Sequence, residues 1–313
     1  MLDFNCCRMD SICEEREMRT KPLTIVTVAA LSALFCNQAQ AAGILVEGDF
    51  KRPESVEYYA AEDVYLVTNI NGSPDLADDN GFISKISPEG ELLELKWLDG
   101  TRPEVHLDAP KGTAIVGDIL YVADMDNVHR FKLPEGKQLP SVNIKGSVFL
   151  NGLTTGEDGS VYVSDSGMTW SVAESGFVST ATDAIYQVLQ DGSYRVVYQD
   201  KDMGWPNGLI KHENGEMTVV TYGSGEAFRL DKSGKRHNLP KPPSGALDGL
   251  VEMEDGSWIT SSWSGKAIYR YKDGNYSIVL DKVKSPSDIG YDPKRNRLLI
   301  PLFMVGKVLI YPL

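Results

Sequence analysis

A short β-type run, Val161-Tyr162-Val163-Ser164-Asp165, is followed by a second, Ala184-Ile185-Tyr186-Gln187-Val188, and then by the turn dipeptide Asp191-Gly192. Apolar and β-branched residues of this kind indicate short strands, and an Asp-Gly pair between strands is typical of a tight hairpin. The first run recurs at intervals of roughly 45 residues, which is the spacing of a repeat protein. Its copies begin at Val64, Leu120, Val161, Met217, Trp258 and Leu298.

The repeat predicts the architecture. No segment after residue 41 keeps the 3.6-residue apolar period of a helix over three turns. Six antiparallel units therefore predict an all-β fold, a six-bladed β-propeller with four-stranded antiparallel blades. The last unit ends one strand short at Leu313, whereas the apolar run Ile44–Val46 has no partner nearby in sequence. We therefore predict that Ile44–Val46 supplies the outer strand of the last blade, which would protect its edge.

Residues 1–41 have the features of a leader with a signal peptide. A basic pair precedes the largely apolar, uncharged run Leu23–Phe35, and Ala39-Gln40-Ala41 fits a small-residue cleavage site. The apolar run is shorter than the ~20 residues of a membrane span. Five acidic residues stand before Met18, unlike a signal peptide, so translation is expected to begin at Met18. The expected mature chain, residues 42–313, is a single exported propeller, periplasmic or secreted, without a stable membrane anchor.

Charge and cysteine content narrow the partners and the chemistry. The formal net charge is −13, so nucleic acid and anionic membranes are not expected partners. All four cysteines lie in the leader, which excludes thiol nucleophiles, thiolate zinc sites and redox pairs from the mature chain. Calcium, which prefers oxygen ligands, remains compatible with it. The sequence leaves the oligomeric state open.

A polar residue stands about ten positions before the first run of each unit. Asn-Gly and Asp-Gly pairs are common in turns, so each residue alone is well explained as part of a turn. However, in each unit that has an Asn-Gly-Leu or Asp-Gly-Leu motif, the run already has a separate turn glycine beside it. A second turn at the Asn-Gly or Asp-Gly pair of that motif would therefore be hard to explain. Because the innermost strands of a propeller line its central channel, these side chains are expected to meet at one depth. They are Glu54, Lys111 (with a spacing one residue shorter), Asn151, Asn207, Asp248 and Asp288.

Four of these positions carry a family resemblance. Asn151 is followed in order by the motifs Pro206-Asn207-Gly208-Leu209 and Leu247-Asp248-Gly249-Leu250, and the first unit has Arg52-Pro53-Glu54. Over the whole mature chain, the sequence resembles the gluconolactonase, regucalcin and luciferin-regenerating enzyme family of six-bladed propellers. It is more distantly similar to paraoxonases and diisopropyl-fluorophosphatase. The resemblance implies that Glu54, Asn151, Asn207 and Asp248 bind one divalent cation in the channel.

The ligand types indicate both the ion and the reaction. Two carboxylates and two amide oxygens are hard donors, so calcium is expected, with magnesium, manganese or zinc as alternatives. A cation with open positions polarises an ester carbonyl and stabilises the oxyanion that forms when water adds. The resemblance makes Asp248 the proton acceptor for that water, with Asp288 as its rival. Lys111 and Asp288 are the other channel-lining candidates for contact with the substrate or with the ligands.

The expected function is that of an exported hydrolase that adds water to a lactone or a related ester, with a small molecule as its partner. Two alternatives stay open: a ligand-binding or interaction propeller with a structural calcium, and a protein similar to strictosidine synthases. The sequence departs from the family pattern where Ser55 and Val56 follow Glu54 and where Lys111 stands near the ion. Specificity is expected in the variable loops 71–80 and 167–182.

Other candidate residues are weaker. Ser164-Asp165-Ser166-Gly167 looks like a nucleophile motif but lacks a strand-turn-helix elbow and a histidine at an interpretable position. Four aromatic residues are expected near a channel mouth, with packing between blades favoured over contact with a ligand. They are Trp170, Trp205, Trp263 and Phe303. The four histidines show no metal-binding spacing and are expected at the surface; they are His106, His129, His212 and His237.

Overall fold

The structure, a computed structural model, describes residues 43–313, so the predicted leader, residues 1–41, lies outside the described residues. The described chain forms 26 β-strands, of which 24 make six four-stranded antiparallel sheets and two pair as a separate hairpin. Within residues 43–313, no helix is long and apolar enough to cross a lipid bilayer. The six sheets are the blades of a six-bladed β-propeller, as predicted.

The strands follow the chain from blade to blade, starting from β1 (Ile44–Val46). Blade 1 contains β2 (Pro53–Tyr59), β3 (Val64–Asn69), β4 (Phe82–Ile86) and β5 (Leu92–Asp99). Blade 2 contains β6 (Pro110–Val116), β7 (Ile119–Asp124), β8 (Asn127–Lys132) and β9 (Lys137–Asn143). Blade 3 contains β10 (Leu150–Thr155), β11 (Val161–Asp165), β14 (Ala184–Val188) and β15 (Tyr194–Gln199), and the separate hairpin is β12 (Met168–Ser171) with β13 (Gly176–Ser179).

The second half of the ring has the same order. Blade 4 contains β16 (Pro206–Lys211), β17 (Met217–Thr221), β18 (Ala227–Leu230) and β19 (Arg236–Asn238). Blade 5 contains β20 (Leu247–Glu252), β21 (Trp258–Ser262), β22 (Ala267–Lys272) and β23 (Asn275–Leu280). Blade 6 contains β24 (Gly290–Asp292), β25 (Arg297–Leu302), β26 (Lys307–Pro312) and, from the other end of the described chain, β1.

The repeated apolar runs are the second strands of the blades. Every residue of β3, β11, β17 and β21 is buried. These strands are covered on both faces because each blade packs between two neighbours. One such core joins blades 2 and 3, where Tyr121 and Val142 share a cluster with Leu150, Val163 and Tyr186.

The chain closes its ring with its first strand. Ile44 pairs with Ile310 and Val46 with Val308, so β1 is the outer strand of blade 6, as predicted. Val46 is fully buried in a cluster that also contains Tyr65 of blade 1. Pairing the first strand with the last gives β26 a partner and leaves fewer unpaired edge groups.

The inner strands form a closed ring around the channel. Consecutive inner strands β2, β6, β10, β16, β20 and β24 contact each other, and β24 contacts β2. The inner strands of blades 1 to 5 each carry a one-residue register shift near their start: in blade 3, Leu150 pairs with Asp165 but Leu153 pairs with Val163. In blade 6 the same offset separates the isolated bridge between Pro286 and Leu302 from the first pair of β24. In every blade, the residue that follows the first paired residue of the inner segment therefore occupies the same structural position around the channel.

The glycine of the Asn-Gly-Leu and Asp-Gly-Leu motifs is required by close packing at the channel. A Cβ atom on Gly152 would lie 2.4 Å from the carbonyl oxygen of Asn207, and one on Gly208 would lie 2.6 Å from that of Asp248. Both glycines lie inside strands, so these motifs are parts of the inner strands rather than turns.

Candidate metal-binding pocket

Five of the six predicted polar residues line one cavity of about 430 Å³ at the starts of the inner strands. The register shift places each of them at the same step of its strand, and all are at least nine-tenths buried. The five residues are Glu54, Lys111, Asn151, Asn207 and Asp248.

These five residues form the floor of the cavity, and three of their buried oxygens lack a hydrogen-bond donor. They are Glu54 Oε2, Asn151 Oδ1 and Asn207 Oδ1. The amide nitrogens of the two asparagines are already engaged: Asn151 Nδ2 donates to Ser166 Oγ at 3.0 Å and Asn207 Nδ2 to Asp248 Oδ1 at 3.0 Å. Their amide oxygens are therefore left as free acceptors. Buried acceptors without a donor are costly in a fold and call for a partner.

Asp248 is held by two donors. Its Oδ1 accepts from Asn207 Nδ2, and its Oδ2 accepts from Trp263 Nε1 at 2.6 Å. Burial, and next the charge of Asp288, raises the pKa of Asp248 to about 8. Burial also raises the pKa of Glu54, with Asp248 and Asp288 adding to the rise and Lys111 opposing it. The carboxyl groups of Glu54 and Asp248 are thus buried close together. Both can be ionised at the same time only if a nearby positive charge stabilises them.

Lys111 supplies one positive group beside these acids. Its side chain is 1% exposed, its Nζ donates to the carbonyl oxygen of Ala109 at 3.0 Å, and it lies 4.3 Å from the ring centre of Phe149. Burial lowers the pKa of Lys111, whereas the charges of Asp124 and Glu54 oppose that shift.

The donor set fits a hard divalent cation. Glu54 and Asp248 offer carboxylate oxygens, and Asn151 and Asn207 offer amide oxygens, which are the ligand types of calcium. Within residues 43–313 there is no metal-binding group of three or more His, Cys, Asp or Glu side chains. A set made of two acids and two amides does not need one.

Asp288 lies elsewhere, contrary to the expectation that it shares the repeat phase. Pro286 pairs with Leu302 as Leu247 pairs with Ser262, so Ser287, not Asp288, takes the place that Asp248 holds in blade 5. Asp288 bridges to Ser55 and lines a second cavity, of about 440 Å³, that later residues of the inner strands surround. Burial raises its pKa to about 7.

Two strand-end aspartates brace the floor through the backbone. Asp124 accepts from the backbone N–H groups of Asp108 and Ala109, at 2.7 and 2.8 Å, just before Lys111. Asp165 accepts from that of Phe149 at 3.0 Å, just before Asn151. These carboxylates fix the chain where the floor residues begin.

The two serines of the nucleophile-like motif have the same structural role. Ser164 Oγ donates to the carbonyl oxygen of Asn207 at 2.8 Å, and Ser166 Oγ to that of Pro206 at 2.8 Å. Both serines are fully buried. Their hydroxyl groups hold the next inner strand, β16, in position. This structural role agrees with the prediction that neither serine is a nucleophile.

Aromatic rings form the walls above the floor. Trp170, Trp263 and Phe303 line the cavity, so the prediction that they pack between blades instead of facing a ligand is wrong for these three rings. Trp205 does not line it; its ring lies beside Gly223 instead. Three further rings that the sequence did not predict also line the cavity, and they come from different blades and from β13: Phe149, Phe177 and Tyr222.

A loop of blade 1 contacts the β12–β13 hairpin at the mouth of the cavity. Asp75 Oδ2 accepts from the backbone N–H of Trp170 at 2.8 Å, and Asp75 Oδ1 accepts from Ser73 Oγ at 2.6 Å. The two loops in which specificity was expected, 71–80 and 167–182, therefore meet at this mouth.

One histidine contradicts the surface prediction. His129 is 5% exposed, its Nδ1 lies 2.8 Å from Ser141 Oγ, and its Nε2 lies 3.5 Å from Asp124 Oδ2. It is buried because it lies on β8, inside blade 2, rather than in a turn. His106 is exposed, as expected.

Comparisons with known proteins support the fold. No protein-family model matches the sequence, and no curated protein sequence matches it. Solved propellers do match in structure. A gluconolactonase from Xanthomonas campestris has a TM-score of 0.66 at 17% identity, covering 84% of this chain and 87% of that one. A luciferin-regenerating enzyme has a TM-score of 0.62 at 12% identity, covering 87% and 98%.

A third match performs a different reaction. Virginiamycin B lyase from Staphylococcus aureus has a TM-score of 0.60 at 14% identity, covering 87% of this chain and 98% of that one. Identities this low speak for the fold and not for the reaction. The described chain therefore has the six-bladed propeller fold of gluconolactonase and luciferin-regenerating enzyme.

Proposed function

We propose that this protein is an exported, divalent-cation-dependent hydrolase that adds water to a lactone or a related ester. The observation that carries the proposal is the set of three buried, donor-free oxygens on Glu54, Asn151 and Asn207 at the floor of one cavity. Structural similarity to enzymes, among them a gluconolactonase, supports the same reading at low identity.

Glu54, Asn151, Asn207 and Asp248 would hold the cation, with calcium as the expected ion. A bound divalent cation supplies Lewis-acid polarisation of the substrate carbonyl and favours ionisation of water. The two amide oxygens are preset for this task because Ser166 and Asp248 hold the amide nitrogens away. Little reorganisation is then needed on binding.

Asp248 is the proposed proton acceptor for the attacking water. Hydrogen bonds from Trp263 and Asn207 fix the orientation of the Asp248 carboxylate. A general base must first lie in the right position to accept the proton, and only then does its pKa decide how well it works. Asp288, the rival, lines the other cavity. Lys111 offsets the negative charge of Glu54 and lies where it can contact the reacting ester.

A lactone panel tests this function. The purified mature protein should hydrolyse at least one of several five- and six-membered lactones, and a chelator should abolish the rate until calcium is restored. Bound metal without turnover of any lactone or ester would point instead to a ligand-binding propeller with a structural cation. Absence of both metal binding and turnover would favour the other alternative, a protein similar to strictosidine synthases.

Export is proposed from the sequence alone. The leader at residues 1–41 would be removed after Ala41, leaving a protein without cysteine. N-terminal sequencing of the protein from the extracytoplasmic fraction should begin at Ala42. A cytosolic protein that starts at Met1 or Met18 would contradict it.

A further inference from the structure

The walls of the cavity differ in chemistry from its floor. On one side, Phe177 packs edge to face against both Phe149 and Trp170, with ring centres 5.9 and 5.4 Å apart. On the other side, Trp263 lies 6.0 Å from Tyr222 and 5.3 Å from Phe303. All six rings line the same cavity. The polar floor is therefore enclosed by two aromatic walls.

Several polar groups on these walls already have a partner within the protein. Trp263 Nε1 already donates to Asp248, and Ser73 Oγ already donates to Asp75. One N–H group of Arg52 donates to the carbonyl oxygen of Gly72, and its guanidinium group lies over the ring of Phe303. Of the six wall rings, Tyr222 brings the one hydroxyl. A ligand with several hydroxyl groups would have to bury some of them without a partner, which is costly.

The apolar lining continues from the floor to solvent. Trp170 is 47% exposed and Met304 is 68% exposed, and both line the cavity. Large apolar side chains that are exposed at the mouth of a pocket are typical of a surface that contacts a ligand. A ligand chain longer than the cavity can therefore leave it along an apolar path.

We infer that the substrate carries an extended apolar substituent, an alkyl or aryl chain, beside its lactone or ester group. This inference rests on the proposed hydrolase function. The reacting carbonyl lies at the polar floor, and the substituent lies between the aromatic walls and extends past Trp170 and Met304. A polyhydroxylated sugar lactone would find its hydroxyl groups facing rings.

A homologous series tests the inference. We expect kcat/KM for δ-lactones to rise with the length of a 5-alkyl chain, by up to about fourfold for each methylene that becomes buried. Glucono-δ-lactone should be at least about 100-fold poorer than the long-chain lactones. Equal or faster hydrolysis of gluconolactone would overturn the inference while leaving the hydrolase function intact.

Variants of the mouth give a second readout. In the double variant Trp170→Ser with Met304→Ser, the ratio of kcat/KM for a long-chain δ-lactone to kcat/KM for the unsubstituted δ-lactone should fall by about tenfold or more. Ile278→Ser, an exposed apolar residue on β23 (64% exposed) that does not line the cavity, is the matched control and should keep the ratio. An unchanged ratio in the double variant would count against the apolar path.

Binding separates the inference from the reaction. A 2-alkyl-tetrahydropyran cannot be hydrolysed, so its affinity reports the walls alone. By titration calorimetry it should bind the wild-type protein more tightly as the chain lengthens, and the double variant should lose that gain. If no lactone or ester is hydrolysed but this trend holds, the hydrolase function fails and the apolar site stands. If the alkyl probe does not bind, the inference itself is wrong.

Discussion

At the scale of single residues, the floor of the cavity is defined by how the asparagines are turned. Ser166 and Asp248 occupy the amide nitrogens of Asn151 and Asn207, so both amide oxygens stay free. A free, buried oxygen is destabilising by itself, on the order of 1–3 kcal/mol. A cation bound to these oxygens would offset that destabilisation.

Asp248→Asn separates metal binding from catalysis. Asparagine keeps an oxygen donor at nearly the same size, so most of the calcium should remain bound. Without a proton acceptor, kcat on a lactone substrate should fall by roughly 10²-fold or more. Asp288→Asn is the comparison variant, because Asp288 lines the other cavity. Loss of its charge should lower the pKa of Asp248 in the pH–rate profile, while kcat stays far above that of Asp248→Asn. The reverse pattern in steady-state kinetics would show that the base has been misassigned.

The sequence predicted the floor residues because each occupies a repeated place in a motif, but counting along the chain failed at Asp288. In blade 5, the last pair of the first two strands is Glu252 with Trp258; in blade 6 the equivalent pair is Tyr291 with Leu298. The turn between the paired residues is one residue longer in blade 6 than in blade 5. A count of ten therefore ends on Asp288 instead of Ser287. Only the strand register reveals that extra residue.

At the scale of elements, β1 is a small strand with a large expected effect. Val46 is fully buried, and β1 covers the edge of β26. Deleting residues 42–48 should expose that edge and lower Tm by on the order of 10 °C, measured by calorimetry. Leu45→Ala, at a site 45% exposed on the same strand, should change Tm by only about 2 °C or less. A truncated protein that melts like the wild type would mean that β1 does not close the ring.

The β12–β13 hairpin was not predicted as strands. Its two strands have only four residues each, Met168–Ser171 and Gly176–Ser179, and mixed polar and apolar residues give no clear alternation. The segment was expected only as a variable loop. The wall rings were equally hard to predict, because Phe149, Phe177 and Tyr222 converge from separate parts of the sequence and no local pattern marks that convergence.

At the scale of the whole molecule, cation and proton should compete at the centre of the ring. Burial raises the pKa of Asp248 to about 8 and also raises that of Glu54, whereas an unfolded chain has ordinary carboxyl values near 4. Between those values the folded protein binds more protons than the unfolded one, so its stability falls as pH rises. In chelator, Tm should therefore fall from about pH 5 to about pH 8.

Calcium should remove that fall, because it stabilises the ionised carboxylates in place of the protons. The stabilisation by calcium, measured as the difference in Tm with and without chelator, should grow with pH across the same range. A difference that stays constant from pH 5 to pH 8 would mean that these two carboxyl groups do not bind the ion.

Calcium titration calorimetry on the chelator-treated mature protein is the most direct test of the central claim, that the channel floor binds one divalent cation. The wild type should bind close to one calcium per chain, and Asn207→Ala should lose most of the affinity because it removes a free oxygen from the floor. Asp255→Asn is the control: Asp255 lies at an exposed turn, where its carboxylate pairs with Lys272. This variant should bind calcium as the wild type does. Absence of calcium, magnesium or manganese binding by the wild type, or equal binding by Asn207→Ala, would contradict the claim.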